Sequence, residues 1–149
     1  MRLSPAAELA VRGVLVLAER HGNGPTTLSS VCSSDSLPKQ YLTKIFSSLA
    51  KADIVIPIRG KNGGYVLARA PKDITLLQVI EAVEGPLALN YCQHTPPKCN
   101  ESECLVRPVW TDLQRIVTHR LAGVRLSDCV NGNGNADDPG NTQGAVGEA

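Results

Sequence analysis

Two β-prone runs, Ile54-Val55-Ile56-Pro57-Ile58-Arg59 and Tyr65-Val66-Leu67-Ala68, stand on either side of Gly60-Lys61-Asn62-Gly63-Gly64. Such runs about a glycine-rich turn close into a hairpin. Pro57 confines its strand to an edge, because it lacks the N–H that a central strand must donate. Just before the hairpin the chain reads as two short helices. Thr27 is a candidate N-cap for a helix from about Leu28 to Ser33, with a tight connection around Asp35-Ser36-Leu37. Pro38 then suits the first position of a second helix, where its fixed φ fits and its missing N–H is not needed. Tyr41, Leu42, Ile45, Phe46 and Leu49 recur at helical spacing, while Lys39, Gln40, Thr43, Lys44 and Ser47 take the outer face. Two short helices, the second basic on its outer face, followed by a two-stranded wing, make a winged helix-turn-helix.

The remainder is helical. Residues 4–20 carry Ala6, Ala10, Val14, Leu17 and Ala18 on one stripe, and Gly22-Asn23-Gly24-Pro25 stops that helix. Thr75-x-x-Gln78 has the form of a capping box and opens a helix through Val79, Ile80 and Val83, closed by Gly85-Pro86. Val106, Val109, Trp110, Leu113, Ile116, Val117 and Leu121 form a long apolar stripe ending at Gly123. The expected fold is mainly α with a small β-hairpin wing. Its parts are a DNA-binding domain over 1–85 (helix-turn-helix about 28–51, wing about 54–69), a cysteine loop over 86–104 and a dimerisation helix with a C-terminal segment over 105–130. A tail over 131–149, rich in Asn, Gly and Asp, is expected to be disordered, having too little apolar area to offset its ordering entropy.

The chain has 149 residues and a formal net charge of +1, which conceals an asymmetry. Residues 1–75 hold ten Lys/Arg against five Asp/Glu, and residues 76–149 hold five against nine. A polyanion would meet the first half. On the second helix Lys39, Gln40, Thr43 and Lys44 are placed to reach base edges, Gln suiting adenine and Lys guanine. Arg59, Lys61 and Gly63 belong to the wing tip, where backbone and cations can press on phosphates or the minor groove. The bland reading is a common packing solution with solvated charges. The basic wing directly behind the helix pair favours DNA.

Cys92-x6-Cys99-x4-Cys104 follows this reader. No credible secretion signal or membrane span is visible, so a reducing cytoplasm is expected and clustered thiols point to metal or redox chemistry rather than disulfides. Thiolates are the usual ligands of iron–sulfur clusters. Four ligands are usual, and the fourth could be His94, Glu101, Glu103, His119 or a residue from elsewhere in a dimer. A zinc site completed by His94, a metal-free thiol switch and plain reduced cysteines remain alternatives. Cys32 and Cys129 stand apart and read as packing residues. No Cys-x-x-Cys and no Ser-His-Asp arrangement supports an enzyme.

The motifs together resemble a known family. Met1-Arg2-Leu3-Ser4 leads into a helix with Ala10-Val11-Arg12, and Tyr41-Leu42-x-x-Ile45-Phe46-x-x-Leu49 marks the second helix of the pair. Val55-x3-Arg59-Gly60-x2-Gly63-Gly64-Tyr65-x-Leu67-Ala68-Arg69 and Ile74-Thr75-Leu76-x2-Val79-Ile80-x-Ala82-Val83-Glu84-Gly85-Pro86 follow. These are similar to the IscR/NsrR-type bacterial transcription regulators over about residues 1–130. The resemblance implies a homodimer on palindromic promoter DNA, without membrane or small-molecule substrate. It also implies an iron–sulfur cluster, 2Fe–2S or 4Fe–4S, on Cys92, Cys99 and Cys104. In the iron–sulfur-biogenesis members the fourth ligand is a His three residues past the last Cys, where this chain has Arg107. In nitric-oxide-sensing members it is an acidic residue of the first helix donated across the dimer, and Glu8 matches. A redox-sensing subgroup adds a His one turn later, where Arg12 stands. The function so implied is a repressor whose promoter affinity follows nitric oxide, redox state or iron supply through the cluster.

Overall fold

The computed structural model describes residues 3–31 and 39–132. The expected connection at 35–37, the helix start at Pro38, Cys32 and nearly all of the expected tail lie outside them. Among the described residues, six α-helices and one hairpin follow in the order α1 (Pro5–Glu19), α2 (Leu28–Val31), α3 (Lys39–Lys51), β1 (Val55–Ile58), β2 (Gly64–Leu67), α4 (Leu76–Glu84), α5 (Arg107–Gly123) and α6 (Leu126–Val130).

Ser4 begins α1 by accepting from the Ala7 N–H at 3.1 Å, with Pro5 in the first turn. The inner stripe of α1 runs through Ala7, Ala10, Gly13, Val14, Leu17 and Ala18. Ala7 therefore heads the buried face where Ala6 was expected; Ala6 lies beside it, partly buried against the core. This face packs on α4 and α3, and Leu42, Ile45, Phe46 and Leu49 of α3 are buried as their spacing predicts. The Thr75–Gln78 capping box is reciprocal: Thr75 Oγ1 accepts from Gln78 N at 3.3 Å and Gln78 Oε1 from Thr75 N at 3.0 Å.

The hairpin pairs Val55 with Leu67 and Ile58 with Gly64, antiparallel. On its other side β2 meets Thr26, whose N–H and carbonyl each bond Tyr65 at 2.9 Å. β1 is thus the outer strand, the place that Pro57 tolerates. Phe46 lies against Tyr65 with ring centroids 4.7 Å apart, so the wing packs on α3 through apolar surface.

The chain returns to this core after α5. Leu76 N donates to Val124 O at 2.9 Å and Leu126 N to Ile74 O at 3.0 Å, which seats Leu126 fully buried among Val14, Phe46 and Val79. Residues 105–130 therefore make two helices, α5 lying against α4 and the cysteine loop and α6 folding back on α1. Burying a Leu side chain stabilises by roughly 1.5–3 kcal/mol.

Candidate nucleic-acid interface and cysteine loop

Lys39, Gln40, Thr43 and Lys44 are all exposed on α3, opposite the buried stripe. Thr43 Oγ1 donates to the Lys39 carbonyl at 3.0 Å, so its methyl and the lone pairs of its oxygen remain available to a ligand. Arg59 and Lys61 are exposed at the wing tip, where Gly60 has φ +116° and its carbonyl accepts from Gly63 N at 3.1 Å. A Cβ on Gly63 would collide with the Ile58 carbonyl, so that position admits only glycine without distorting the turn. The wing is steadied by Arg69, a residue to which the sequence alone assigns no role. Its Nε donates to Asp53 O at 3.3 Å and its Nη1 to Asp73 O at 3.1 Å, clamping the hairpin base. A long cation just after a strand that ends a hairpin was the available signal.

The cysteine loop leaves α4 at Gly85 and reaches α5 at Arg107. Glu81 Oε1 accepts from Leu87 N at 3.0 Å, and Gln114 Oε1 from Leu89 N at 2.9 Å, so α4 and α5 hold its first stretch. Cys92 sits in a 3-10 turn over Tyr91–Gln93. Lys98 N donates to Tyr91 O at 2.9 Å, which brings the residues just before Cys92 and Cys99 together. Cys104 O accepts from Arg107 N at 3.2 Å, at the foot of α5. All three thiols are free and half-buried. Gln93, also unassigned from sequence, donates through Nε2 to Cys92 Sγ at 3.3 Å and to Thr111 Oγ1 at 3.1 Å, linking the first cysteine to α5.

The remaining candidates are distributed. His94 stacks on Tyr91 with centroids 6.3 Å apart; Glu101, Glu103 and His119 are exposed. Glu8 and Arg12 are exposed on α1, and among the described residues no ion pair joins them. Nor, among the described residues, do three His, Cys, Asp or Glu side chains of one chain gather around a metal position. The donor set nevertheless fits an iron–sulfur group in kind, with three unpaired thiols within one short loop. A second observation agrees. Arg107 Nη2 donates to the Glu101 carbonyl, while Arg107 Nε is buried and has no partner among the described residues. A buried donor left unsatisfied costs about 1–3 kcal/mol, and an anionic group in the loop would relieve it.

Among the described residues, nothing packs against one apolar face of α5. Val109, Leu113 and Ile116 are 55%, 40% and 49% exposed. Leu3, Ile80, Leu87, Val117 and Leu121 line an adjoining apolar hollow of about 450 Å³. Among the described residues no helix is long and apolar enough to cross a membrane.

The family model "Rrf2: Iron-dependent Transcriptional regulator" matches residues 3–132. The chain belongs to the Rrf2 family. It is a transcriptional regulator of the IscR/NsrR type and not an enzyme. Over 131 residues this Rrf2 chain is 30% identical to the HTH-type transcriptional regulator IscR of Pectobacterium carotovorum, covering 88% of this chain and 80% of the relative. It is 31% identical over 128 residues to the HTH-type transcriptional regulator CymR of Bacillus subtilis, covering 86% and 88% respectively. The solved structure of CymR, the global cysteine regulator of B. subtilis, superposes with a TM-score of 0.75 at 30% identity, covering 88% of this chain and 97% of that one. T. potens IscR does so with a TM-score of 0.72 at 26% identity, covering 97% and 94%. The Rrf2 winged-helix fold expected from the sequence is therefore the observed one.

Proposed function

We propose that this Rrf2 chain is a homodimeric repressor in the cytoplasm whose affinity for palindromic promoter DNA follows the state of an iron–sulfur cluster. Cys92, Cys99 and Cys104 would hold the cluster, with Glu8 as the fourth ligand, donated across the dimer. The observation that carries this reading is the cysteine loop itself. Three free thiols sit between α4, whose buried face packs on α1 and α3, and α5, whose apolar face is open. Covering Val109, Leu113 and Ile116 with the same face of a second copy would bury them and set two α3 helices for successive half-sites. The dispersed arrangement in one chain agrees with a ligand that comes from the other.

The cluster would supply a centre whose charge and integrity answer to nitric oxide, oxidants or iron supply. The chain's own parts convert this to DNA affinity. Gln93 ties Cys92 to α5, and Glu81 and Gln114 tie the loop to α4 and α5, so a change of loop shape biases how the reader is presented. Lys39, Gln40, Thr43 and Lys44 read the major groove while Arg59, Lys61 and the Gly63 turn engage the backbone.

A second reading is a metal-free thiol switch. The likeness to CymR, the global cysteine regulator of B. subtilis, favours it, as does the absence of a gathered ligand set within the described residues. Anaerobic purification, iron and sulfide assay, visible absorption and DNA binding separate the two. The cluster reading expects a coloured dimer with iron and sulfide, and operator affinity that changes when the cluster is removed. A colourless, iron-free protein with native affinity overturns it.

A further inference from the structure

Arg107 is an odd residue with which to begin α5. A helix N-terminus carries partial positive charge and favours anions. Here the first turn has no acidic side chain, no side-chain cap, and a guanidinium at its first position. Glu101 and Glu103 are close in sequence, yet Arg107 takes the Glu101 backbone carbonyl, and among the described residues no ion pair joins it to either carboxylate. Its backbone N–H is spent on Cys104 O at 3.2 Å, which ties the start of α5 to the backbone of the last cysteine. Its Nε–H is buried and meets no acceptor among the described residues.

We propose that Arg107 sets the reduction potential of the cluster held by the cysteine loop, donating Nε–H to a thiolate or sulfide sulfur. This rests on the cluster reading given above. Thiolates, a carboxylate and sulfides leave such a group net negative, and one added electron makes it more so. No bond forms or breaks in that step; the electron comes from an external low-potential reductant. The guanidinium and the positive end of α5 both favour the more negative state. Hydrogen bonds to cluster sulfurs and local charge are known levers on potential. Arg107 is thus a positioning residue for charge and not a ligand.

The test uses the full-length protein loaded anaerobically, as wild type, Arg107→Gln and Arg107→Lys. Iron and sulfide are assayed first, and then each is titrated with dithionite in the presence of redox mediators while visible absorption is followed. At a fixed poise Arg107→Gln is expected to hold roughly tenfold less reduced cluster than wild type, a midpoint lower by about 59 mV for one electron. Arg107→Lys, keeping the charge, is expected to stay within about threefold of wild type. A loaded Arg107→Gln with an unmoved midpoint overturns the proposal and leaves the cluster reading standing. Wild type without iron and sulfide overturns both, and is seen before any titration. If Arg107→Gln does not load, Arg107→Lys decides. A loaded Lys variant of near-native midpoint supports a charge role, whereas its failure to load makes Arg107 only a tie to the Glu101 carbonyl and overturns the proposal.

Discussion

The backbone N–H of Ser4 donates to Glu84 Oε1 at 2.7 Å, fastening the first turn of α1 to the last turn of α4. The same Ser4 caps α1 with its hydroxyl, and Glu84 immediately precedes the glycine at which the cysteine loop departs. Glu8 lies one turn further along α1, so a single carboxylate joins the origin of the loop to the helix that carries the proposed fourth ligand.

Removing that acceptor should be measurable. Glu84→Ala is expected to lower unfolding stability by about 0.5–1.5 kcal/mol in urea denaturation, with Glu84→Gln losing less because it keeps an oxygen. An unchanged midpoint in the Ala variant would show that the contact is not populated in solution.

Leu126 and Ile116 belong to neighbouring helices but to different environments, one fully buried and the other 49% exposed. Leu126→Ala should cost about 2–5 kcal/mol of folding stability. Ile116→Ala should change folding of the single chain little and weaken self-association, read by sedimentation at falling concentration. Equal effects on both quantities would contradict the division of roles.

On α3 the substitutions should separate by kind. Lys44→Ala is expected to weaken binding to all sequences and to reduce the slope of log affinity against log salt by about one. Gln40→Ala should instead cost about 1–3 kcal/mol on the operator and relax preference at one base pair. Competition titrations at several salt concentrations distinguish them.

Burial pushes the Cys129 thiol up from its ordinary value, the Asp128 carboxylate adds to the rise, and the residue's own backbone N–H opposes it. The folded state therefore keeps this proton to higher pH than the unfolded chain does. The associated stability is present below the ordinary thiol pKa of about 8.5 and declines as pH rises through the interval to the raised value. Wild type should lose stability relative to Cys129→Ala across that interval in matched denaturation series. Curves that stay parallel would remove Cys129 as the source.

Much of the architecture was legible because it is local. Thr75 and Gln78 are three apart and cap each other as their spacing says, and the glycines at 60, 63 and 64 mark the hairpin without reference to anything distant. The exposed outer face of α3 followed from the same periodicity that buried Phe46. Leu126 was not legible. A five-residue helix has no period to detect, and its place is fixed by bonds to Ile74 and Leu76, some fifty residues earlier. Arg69 and Gln93 were missed likewise, since their partners are carbonyls, a hydroxyl and a thiol chosen by tertiary approach. The cysteine trio was obvious as a spacing, but the loop's shape depends on which groups come to meet it.

The return of α6 into the core has a consequence for how such a regulator can be altered. Because Leu126 fills the same interior as Val14 and Phe46, the described helices on either side of the cysteine loop share one core, and on the function proposed above a cut between them would not leave two working halves. New sensitivities in this scaffold must then arise by rewriting the short stretch between Gly85 and Arg107, leaving the flanking helices as fixed ends. The protein is less a reader with an attachment than a single body with one exchangeable loop.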